Sequence, residues 1–298
     1  MILRPGVTII VLNWNGKEDT IECLDSLRGV VYPNFRILLV DNASTDGSAE
    51  LFRQRYPDVE LLVNERNLGF AGGNNVGIKK AIEEGAEYLL LLNNDTVVYP
   101  DFLDGLVNVA ESSENIGFIG PKICFFSDPE KVWTSGGNIN MFTGRIGNRL
   151  EGAAQAGLAG IENVDYISGC ALLAKTSVVG HIGLMDEDYF LYFEETDWNM
   201  RARRQGYTCM VNNDVRILHK VGMSVKKVRG SDYYYVVRNL PRFISRNGKW
   251  YHKMVFYPIF FARYSAAYLL HSARGEREVC RGISDGLRDF VKGKTGKY

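Results

Sequence analysis

Four apolar runs in the first 95 residues each end near asparagine or aspartate, and this pattern constrains the fold more than any other feature. The runs cover residues 7–12, 36–40, 59–63 and 88–92. Segments with helical spacing of apolar residues lie between them. Continuous apolar strands separated by helices predict a mostly parallel sheet covered on both faces. Because such sheets bind ligands at the carboxyl ends of their strands, we expect a functional site at that edge.

The charge of the chain is balanced overall but uneven along its length. Thirty-five basic residues match thirty-five acidic ones among 298, so no global field attracts nucleic acid. Residues 226–298 carry sixteen Lys and Arg against five Asp and Glu, which leaves nineteen against thirty for residues 1–225. The pattern predicts an acidic body, large enough for a sizeable core, and a basic tail.

The cysteines and the start of the chain indicate a cytoplasmic protein. Five scattered cysteines without a CxxC pair argue against a zinc site and a disulfide framework, and favour a reducing compartment. Residues 1–11 have the features of neither a signal peptide nor a membrane-spanning helix.

The fourth apolar run ends in two amides and a carboxylate, Asn93, Asn94 and Asp95. Hard oxygen ligands at a strand end suit Mg²⁺ or Mn²⁺, which complete their shells with water and substrate phosphates. An Asn-Asn-Asp turn is also a common way to end a strand. Asp95 is the candidate metal ligand.

Three carboxylates follow an aromatic run near the middle of the chain, at Glu194, Glu195 and Asp197. Crowded carboxylates raise one another's pKa, and a partly buried one can act as a general base. Acidic residues also favour the start of a helix, so some of the three can orient the segment while one does chemistry.

Two further features belong with these motifs. His219 ends a short apolar run, and a lone histidine of this kind is more often structural. Because the chain has a candidate metal-binding aspartate elsewhere, His219 is also a candidate imidazole ligand, although the sequence alone does not bring the two together. Residues 64–75 form a glycine-rich segment that opens a helix and can receive phosphate. The segment lacks GxGxxG and follows the third strand, which argues against a dinucleotide-binding dehydrogenase.

Together and in this order, the motifs resemble those of family 2 glycosyltransferases of the A-type fold, in particular rhamnosyltransferase-like members. The resemblance covers about residues 5–225 and rests on the segments 11–15, 40–48, 67–74 and 93–95. It implies a single Rossmann-like nucleotide-diphospho-sugar transferase domain over residues 1–225. The donor contacts that it implies are Asn13, Asn15, Asp41, Asn67, Asn74, Asn93 and Asn94.

The resemblance also assigns roles to the acidic residues. Asn93 stands where the family has the first carboxylate of its Asp-x-Asp motif, so this chain lacks one negative charge at the metal. Asp95 and His219 are the implied metal ligands, with Mg²⁺ or Mn²⁺ as cofactor. Glu195 matches the family's catalytic base, and Glu194 and Asp197 remain alternatives.

The implied reaction is inverting transfer of a sugar, rhamnose being one candidate, from a nucleoside diphosphate donor. The acceptor would be a hydroxyl of a glycan or lipid-linked glycan, approaching over the small residues 169–171. Two other functions stay open: a nucleotidyltransferase that makes nucleotide sugars, and a noncatalytic nucleotide-sugar-binding protein.

Residues 226–298 are predicted to form a basic, aromatic-rich helical extension. Its apolar stretch at 254–270 contains Pro258 and Arg263, and its length is at the lower limit for a membrane span. An aromatic and basic helix can instead lie in the membrane interface, here the inner face of the cell membrane. The alternative is that the extension packs on the catalytic domain or on a second subunit in a homodimer.

Overall fold

A computed structural model describes residues 4–221 and 230–298. Within these residues one ten-stranded mixed sheet forms the centre, and a two-stranded hairpin lies beside it. The strands are β1 Val7–Asn13, β2 Phe35–Asp41, β3 Glu60–Val63, β4 Tyr88–Asn93, β5 Thr96–Val98, β6 Ile116–Phe125, β7 Val132–Thr134, β8 Gly137–Asn140, β9 Arg145–Asn148, β10 Ile161–Val164, β11 Ala171–Lys175 and β12 Thr208–His219. The helices are α1 Lys17–Leu27, α2 Ser48–Arg55, α3 Gly69–Glu83, α4 Phe102–Glu111, α5 Thr176–Ile182, α6 Glu194–Arg204, α7 Ser231–Asn247, α8 Trp250–Ala273 and α9 Arg277–Val291.

The four apolar runs form the parallel part of the sheet, in the order β4-β1-β2-β3. Their interiors are apolar because helices cover both faces; Ile9, Ile10 and Val11 have no exposed surface. The strand order reverses at β1, so a crevice opens beyond its carboxyl end. The predicted parallel α/β core is confirmed.

The second half of the sheet brings His219 to the same edge. Strand β11 runs antiparallel between β4 and β6, and β12 runs parallel to β6. The end of β12 also pairs with the short strand β5, so that His219 lies opposite Thr96. Since Asp95 precedes Thr96, two residues 124 positions apart in the chain become neighbours.

Residues 135–160 are rich in Gly and Asn, a composition typical of an extended loop, yet they contain two regular strands. Strands β8 and β9 pair as an antiparallel hairpin in which Ile139 lies opposite Ile146. Both isoleucines pack against the core of the C-terminal helices, and this burial stabilises strands in a segment rich in Gly and Asn. Gly144, at a φ of 65°, closes the turn.

Helices α7, α8 and α9 form the predicted helical C-terminal region. The predicted boundary between residues 225 and 226 lies outside the described residues. The apolar core of this region includes Phe243, Phe256 and Ile283, and also Tyr189 from the segment before α6. Within the described residues, no helix is both long and apolar enough to span a membrane.

Candidate active site

A cleft of about 990 Å³ opens at the carboxyl ends of the parallel strands. The sheet edge forms one wall, and the start of α6 and the C-terminal helices form the other. Residues from both halves of the chain line the cleft: Asn42, Asn67, Asn93, Asn94, Asp95, Glu194, Glu195, His219, Tyr233 and Tyr235. The predicted metal ligands and two of the three predicted catalytic acids therefore share one cavity.

Asp95 and His219 are the metal-ligand candidates, and the structure brings them together. Nε2 of His219 lies 3.1 Å from Oδ1 of Asp95, and both side chains are at least nine-tenths buried. Within the described residues, this Asp95 oxygen and Nδ1 of His219 have no hydrogen-bond partner of acceptable geometry. A buried, unpartnered carboxylate oxygen beside an imidazole fits a divalent cation.

The cation would receive few ligands from the protein. Among the described residues, no group of three His, Cys, Asp or Glu side chains could hold a metal ion. A site with two protein ligands suits Mg²⁺ or Mn²⁺ held jointly by carboxylate, substrate phosphates and water. The ring of Trp133 meets His219 edge-on at 4.4 Å between centroids, and so restricts the imidazole.

Amide side chains that follow three of the parallel strands form part of the sheet-side wall. Asn94 donates to Oγ1 of Thr20 at 2.8 Å, and Asn67 accepts from the backbone NH of Gly69 at 2.8 Å. Asn42 is not among the nucleotide-sugar contacts that the family resemblance implies. It accepts from Leu68 NH and donates to the carbonyl of Gly69. These bonds fix the glycine-rich segment to the end of β2.

Asn13 and Asp41 lie directly beneath this wall and have no exposed surface. Asn13 Nδ2 donates to Asp41 Oδ2 at 2.7 Å, and Ser44 NH donates to Asp41 Oδ1 at 2.8 Å. Asn15 accepts from Thr45 NH. These three side chains organise the ends of β1 and β2, and they do not line the cleft in this structure.

Asn74 is the remaining predicted donor contact. Its side chain is 2% exposed and donates to the carbonyl of Phe70, one turn earlier in α3. It does not line the cleft either. As direct donor contacts, Asn13, Asn15, Asp41 and Asn74 therefore stay predictions, and the cleft-lining Asn67, Asn93 and Asn94 are the better placed of the set.

Glu194 and Glu195 begin α6 and line the cleft. Burial raises the pKa of Glu195 above its ordinary value, although bonds from backbone NH groups oppose the shift. Burial, with the neighbouring Glu195 charge, raises the pKa of Glu194 well above its ordinary value. Glu195 is partly exposed to the cleft, whereas Glu194 is 2% exposed. A carboxylate with raised pKa and an open face has the properties of a general base.

Asp197 faces away from the cleft, towards helix α7. It accepts from Arg201 Nε at 3.0 Å and from Asn247 Nδ2 at 2.7 Å. Tyr189 OH contacts it at 3.4 Å. These bonds join α6 to α7, which gives Asp197 an orienting role.

Gly169 and Cys170 line the cleft beside Glu195. A Cβ placed on Gly169 would lie 2.9 Å from the Phe70 ring and 3.5 Å from Glu195 Cβ. Glycine at this position therefore lets the Phe70 ring pack against the backbone next to Glu195. The acceptor floor at residues 169–171 stays a prediction.

Sequence reasoning missed the aromatic side of the cleft. Trp14, Trp133 and Tyr166 line it from the sheet side, and the lining residues of the C-terminal region include Tyr233, Tyr235, Lys297 and Tyr298. The run Tyr233-Tyr234-Tyr235 was visible in the sequence, but it resembled part of a membrane-binding or packing helix. Only the three-dimensional structure shows that helix α7 packs beside the cleft, so that Tyr233 and Tyr235 line it.

The family model for glycosyl transferase family 2 matches residues 8–179. This match includes the parallel half of the sheet and the Asp95 motif. The chain belongs to this family.

Curated relatives include sugar transferases of archaea and bacteria. The low-salt glycan biosynthesis hexosyltransferase Agl10 of Haloferax volcanii is 26% identical, over 82% of this chain and 76% of its own length. An N-acetylglucosaminyl-diphospho-decaprenol L-rhamnosyltransferase of Mycobacterium tuberculosis is 29% identical, over 61% and 66%. The dTDP-rhamnosyl transferase RfbF of Shigella flexneri is 24% identical, over 82% of each chain.

Solved structures share the fold over nearly the whole chain. The mannosyltransferase PcManGT from Pyrobaculum calidifontis, in complex with GDP-Man and Mn²⁺, superposes with a TM-score of 0.60 at 16% identity, covering 98% of this chain and 89% of its own. GalNAc-T7 with UDP, GalNAc and Mn²⁺ superposes with a TM-score of 0.69 at 14% identity, covering 98% and 57%. The fold is that of the A-type glycosyltransferases.

Proposed function

We propose that this chain is an inverting, metal-dependent glycosyltransferase that moves a hexose or deoxyhexose from a nucleoside diphosphate to a hydroxyl acceptor. The observation that carries the proposal is the arrangement of the cleft. Asp95 and His219, each with a buried polar atom that lacks a hydrogen bond, lie on the sheet side. The partly exposed Glu195 lies on the opposite side. Relatives named as rhamnosyltransferases make deoxyhexose donors such as dTDP-rhamnose the first candidates.

In the proposed mechanism, Glu195 removes the proton from the acceptor hydroxyl as that oxygen attacks the anomeric carbon. The new C–O bond forms on the face opposite the departing nucleoside diphosphate, whose C–O bond to the sugar breaks. Asn67, Asn93 and Asn94 would hold the donor against the sheet edge, and the acceptor would approach past Gly169 and Cys170, which line the same cleft. Asp95 and His219 would hold the divalent cation, which when bound would offset the negative charge that develops on the diphosphate.

The proposed acceptor is a glycan carried on a lipid. Helix α8 supports this proposal because one of its faces is apolar and exposed: Trp250, Met254, Phe261 and Leu269 follow helical spacing and are 47–71% exposed. From residue 233 to residue 275 the chain contains seven Lys and Arg and no Asp or Glu. Aromatic and aliphatic side chains with flanking cations fit an anionic membrane surface.

This face is linked to the cleft through the β8–β9 hairpin. Phe142 stacks on Tyr251 at 6.0 Å, and Arg263 donates to the carbonyl of Thr143. Asn148, at the end of the same hairpin, lines the cleft. A membrane bound to α8 would therefore lie beside the cavity that receives the acceptor.

The test measures the nucleotide released from a panel of nucleotide sugars with Mn²⁺. Sugar transfer, or slow transfer to water, releases the nucleoside diphosphate, and Asp95→Ala should abolish that release. Pyrophosphate formation from a nucleoside triphosphate and a sugar phosphate would identify a nucleotidyltransferase instead. Tight donor binding without turnover would identify a noncatalytic binding protein, an alternative that the amide at Asn93 favours because it removes one charge.

A further inference from the structure

The segment before α6, residues 188–193, has an unusual backbone. Phe190, Tyr192 and Phe193 have φ values of 65°, 68° and 76°. Bulky side chains rarely adopt this left-handed conformation, because the Cβ atom crowds the backbone. Three such residues within four positions persist only if their surroundings hold them. Glu194 and Glu195 follow directly, so the conformation of this segment sets where both carboxylates lie.

Helix α7 supplies most of the bonds that hold the segment. Asn239 Nδ2 donates to the carbonyls of Tyr189, Leu191 and Tyr192, at 2.9, 2.8 and 3.2 Å. Arg238 Nη2 donates to the carbonyl of Tyr189 at 2.8 Å and contacts that of Asp188 at 3.4 Å. Two adjacent side chains thus reach four of the six carbonyls between residues 188 and 193.

The other two carbonyls connect residues 188–193 to the glycine-rich segment 64–75 and to α6. Phe70 NH, in the first turn of α3, donates to the carbonyl of Phe190 at 2.7 Å. Gly69 permits this approach, since a Cβ there would lie 2.3 Å from the same oxygen. Asp197 NH donates to the carbonyl of Phe193 at 2.8 Å. Every carbonyl of the segment therefore has a partner.

Both α7 side chains are fully buried and satisfied. Arg238 and Asn239 have no exposed surface, and Arg238 Nε donates to Asn239 Oδ1 at 2.9 Å. A buried guanidinium needs several acceptors to offset its lost hydration. Here these acceptors are mainly backbone carbonyls, including that of Gly296. The ring of Phe190 also stacks on Tyr235 of α7, at 5.5 Å and 14°.

We propose that Arg238 and Asn239 are positioning residues that hold the strained segment 188–193, and through it Glu195, in the geometry for proton removal. The inference rests on the proposed role of Glu195 as base. It makes helix α7, beyond the region matched by the family model, a working part of the active site. Neither residue lines the cleft, so both would act through the segment.

The experiment compares Asn239→Leu with Asp289→Asn in the full chain. Leucine has the same branched heavy-atom skeleton as asparagine but donates no hydrogen bond, so the carbonyls of Leu191 and Tyr192 lose their partner. The carbonyl of Tyr189 keeps its bond from Arg238. Asp289 is a matched control because it is 2% exposed and binds Tyr234 of α7, with no bond to the segment. The readouts are kcat for transfer, the Kd of the nucleoside diphosphate with Mn²⁺, and the thermal midpoint.

We expect Asn239→Leu to lose at least tenfold in kcat while the Kd changes less than twofold. Asp289→Asn should lower the thermal midpoint and keep kcat near that of the unchanged protein. Equal losses of kcat in the two variants, or a Kd that weakens as much as kcat falls, would overturn the proposal. If Asn239→Leu does not fold, Arg238→Lys takes its place, because it keeps the charge and loses the forked donors.

The result can be separated from a failure of the proposed function by measuring Glu195→Gln in parallel. If Glu195→Gln keeps full activity, the assignment of the base fails. If Glu195→Gln is inactive and Asn239→Leu retains full kcat, only the positioning role fails.

Discussion

The two walls of the cleft are built in different ways. On the sheet side, Asn42, Asn93 and Asp95 are placed by strands that immediately precede them, and the strand register fixes their separation. On the opposite side, Glu195 follows a segment with three left-handed residues, held by side chains nearly fifty positions later in the chain. Apart from His219, the first wall follows from local sequence, whereas the second depends on a long-range contact.

This difference predicts where each wall is vulnerable. A strand end keeps its position as long as the sheet is intact, because ladder bonds and burial on both faces hold it. A strained segment keeps its position only while each bonding partner remains. Substitutions on the sheet side should therefore change ligand binding, and those behind the segment should change the chemical step.

The largest effect should come from the metal site on the sheet side. Chelation should remove activity, and Mn²⁺ or Mg²⁺ should restore it, because the charge on the leaving diphosphate would otherwise be uncompensated. Asp95→Ala should lose activity together with Mn²⁺ binding in the presence of nucleoside diphosphate, measured by calorimetry. Asp101→Ala, at an exposed aspartate six residues later, is the control. Full turnover in chelator would remove the cation from the mechanism.

The next largest effect should come from the base on the opposite wall. Glu195→Gln should lose about 10²- to 10⁴-fold in kcat, the usual contribution of general-base catalysis, with donor binding nearly unchanged. Asp197→Asn should be milder, because Asp197 binds Arg201 and Asn247 outside the cleft. Steady-state kinetics of the two variants decides between them. Loss of activity in Asp197→Asn with retention in Glu195→Gln would move the base to Asp197.

A smaller and graded effect is expected from pH. The base must be ionised to accept a proton, and burial raises the pKa of Glu195. The rate should therefore fall as pH decreases through this raised pKa, so the acidic limb of kcat/KM should lie above the ordinary glutamate value of about 4.3. A pH profile of kcat/KM with a limb at or below that value would contradict burial of the base. Asp197→Asn should leave the limb in place.

The sequence predicted most of the sheet wall because the strand ends that form it, apart from His219, are local features. Apolar runs gave the strands, and the polar residues after them marked the carboxyl edge, where Asn93, Asn94 and Asp95 now line the cleft. Pairing of Asp95 with His219 was implied only by the family resemblance. The residue spacing could not reveal it, since it depends on strand β12 meeting β5.

The opposite wall was predicted only in part. The acidic cluster was recognised, yet the sequence could not decide whether Glu195 or Asp197 faces the cleft. Which side chain faces it depends on how α6 packs against α7. Arg238 and Asn239 lie in a basic, aromatic segment whose composition is equally typical of a membrane-binding helix. Their use as a support for residues 188–193 becomes visible only when the three-dimensional contacts are known.

The smallest effect on chemistry should come from the exposed face of α8, which belongs to neither wall. The double variant Met254→Glu with Leu269→Glu should abolish sedimentation with anionic vesicles at low salt, because it places charge on the apolar face. Both side chains are 68% exposed, so the fold should tolerate the change. Transfer to a water-soluble acceptor should stay within about twofold, since surface substitutions rarely perturb a distant site.

The control is Val31→Glu, at a residue that is 67% exposed and lies between α1 and β2. This variant should bind vesicles as the unchanged protein does. Failure of the unchanged protein to sediment, combined with a concentration-dependent dimer that the double variant loses, would assign the α8 face to a second copy of the chain. Loss of activity on the soluble acceptor in the double variant would show that α8 affects the cleft, with the β8–β9 hairpin as the contact between them. The α8 face would then contribute to the active site, as the wall with Glu195 does.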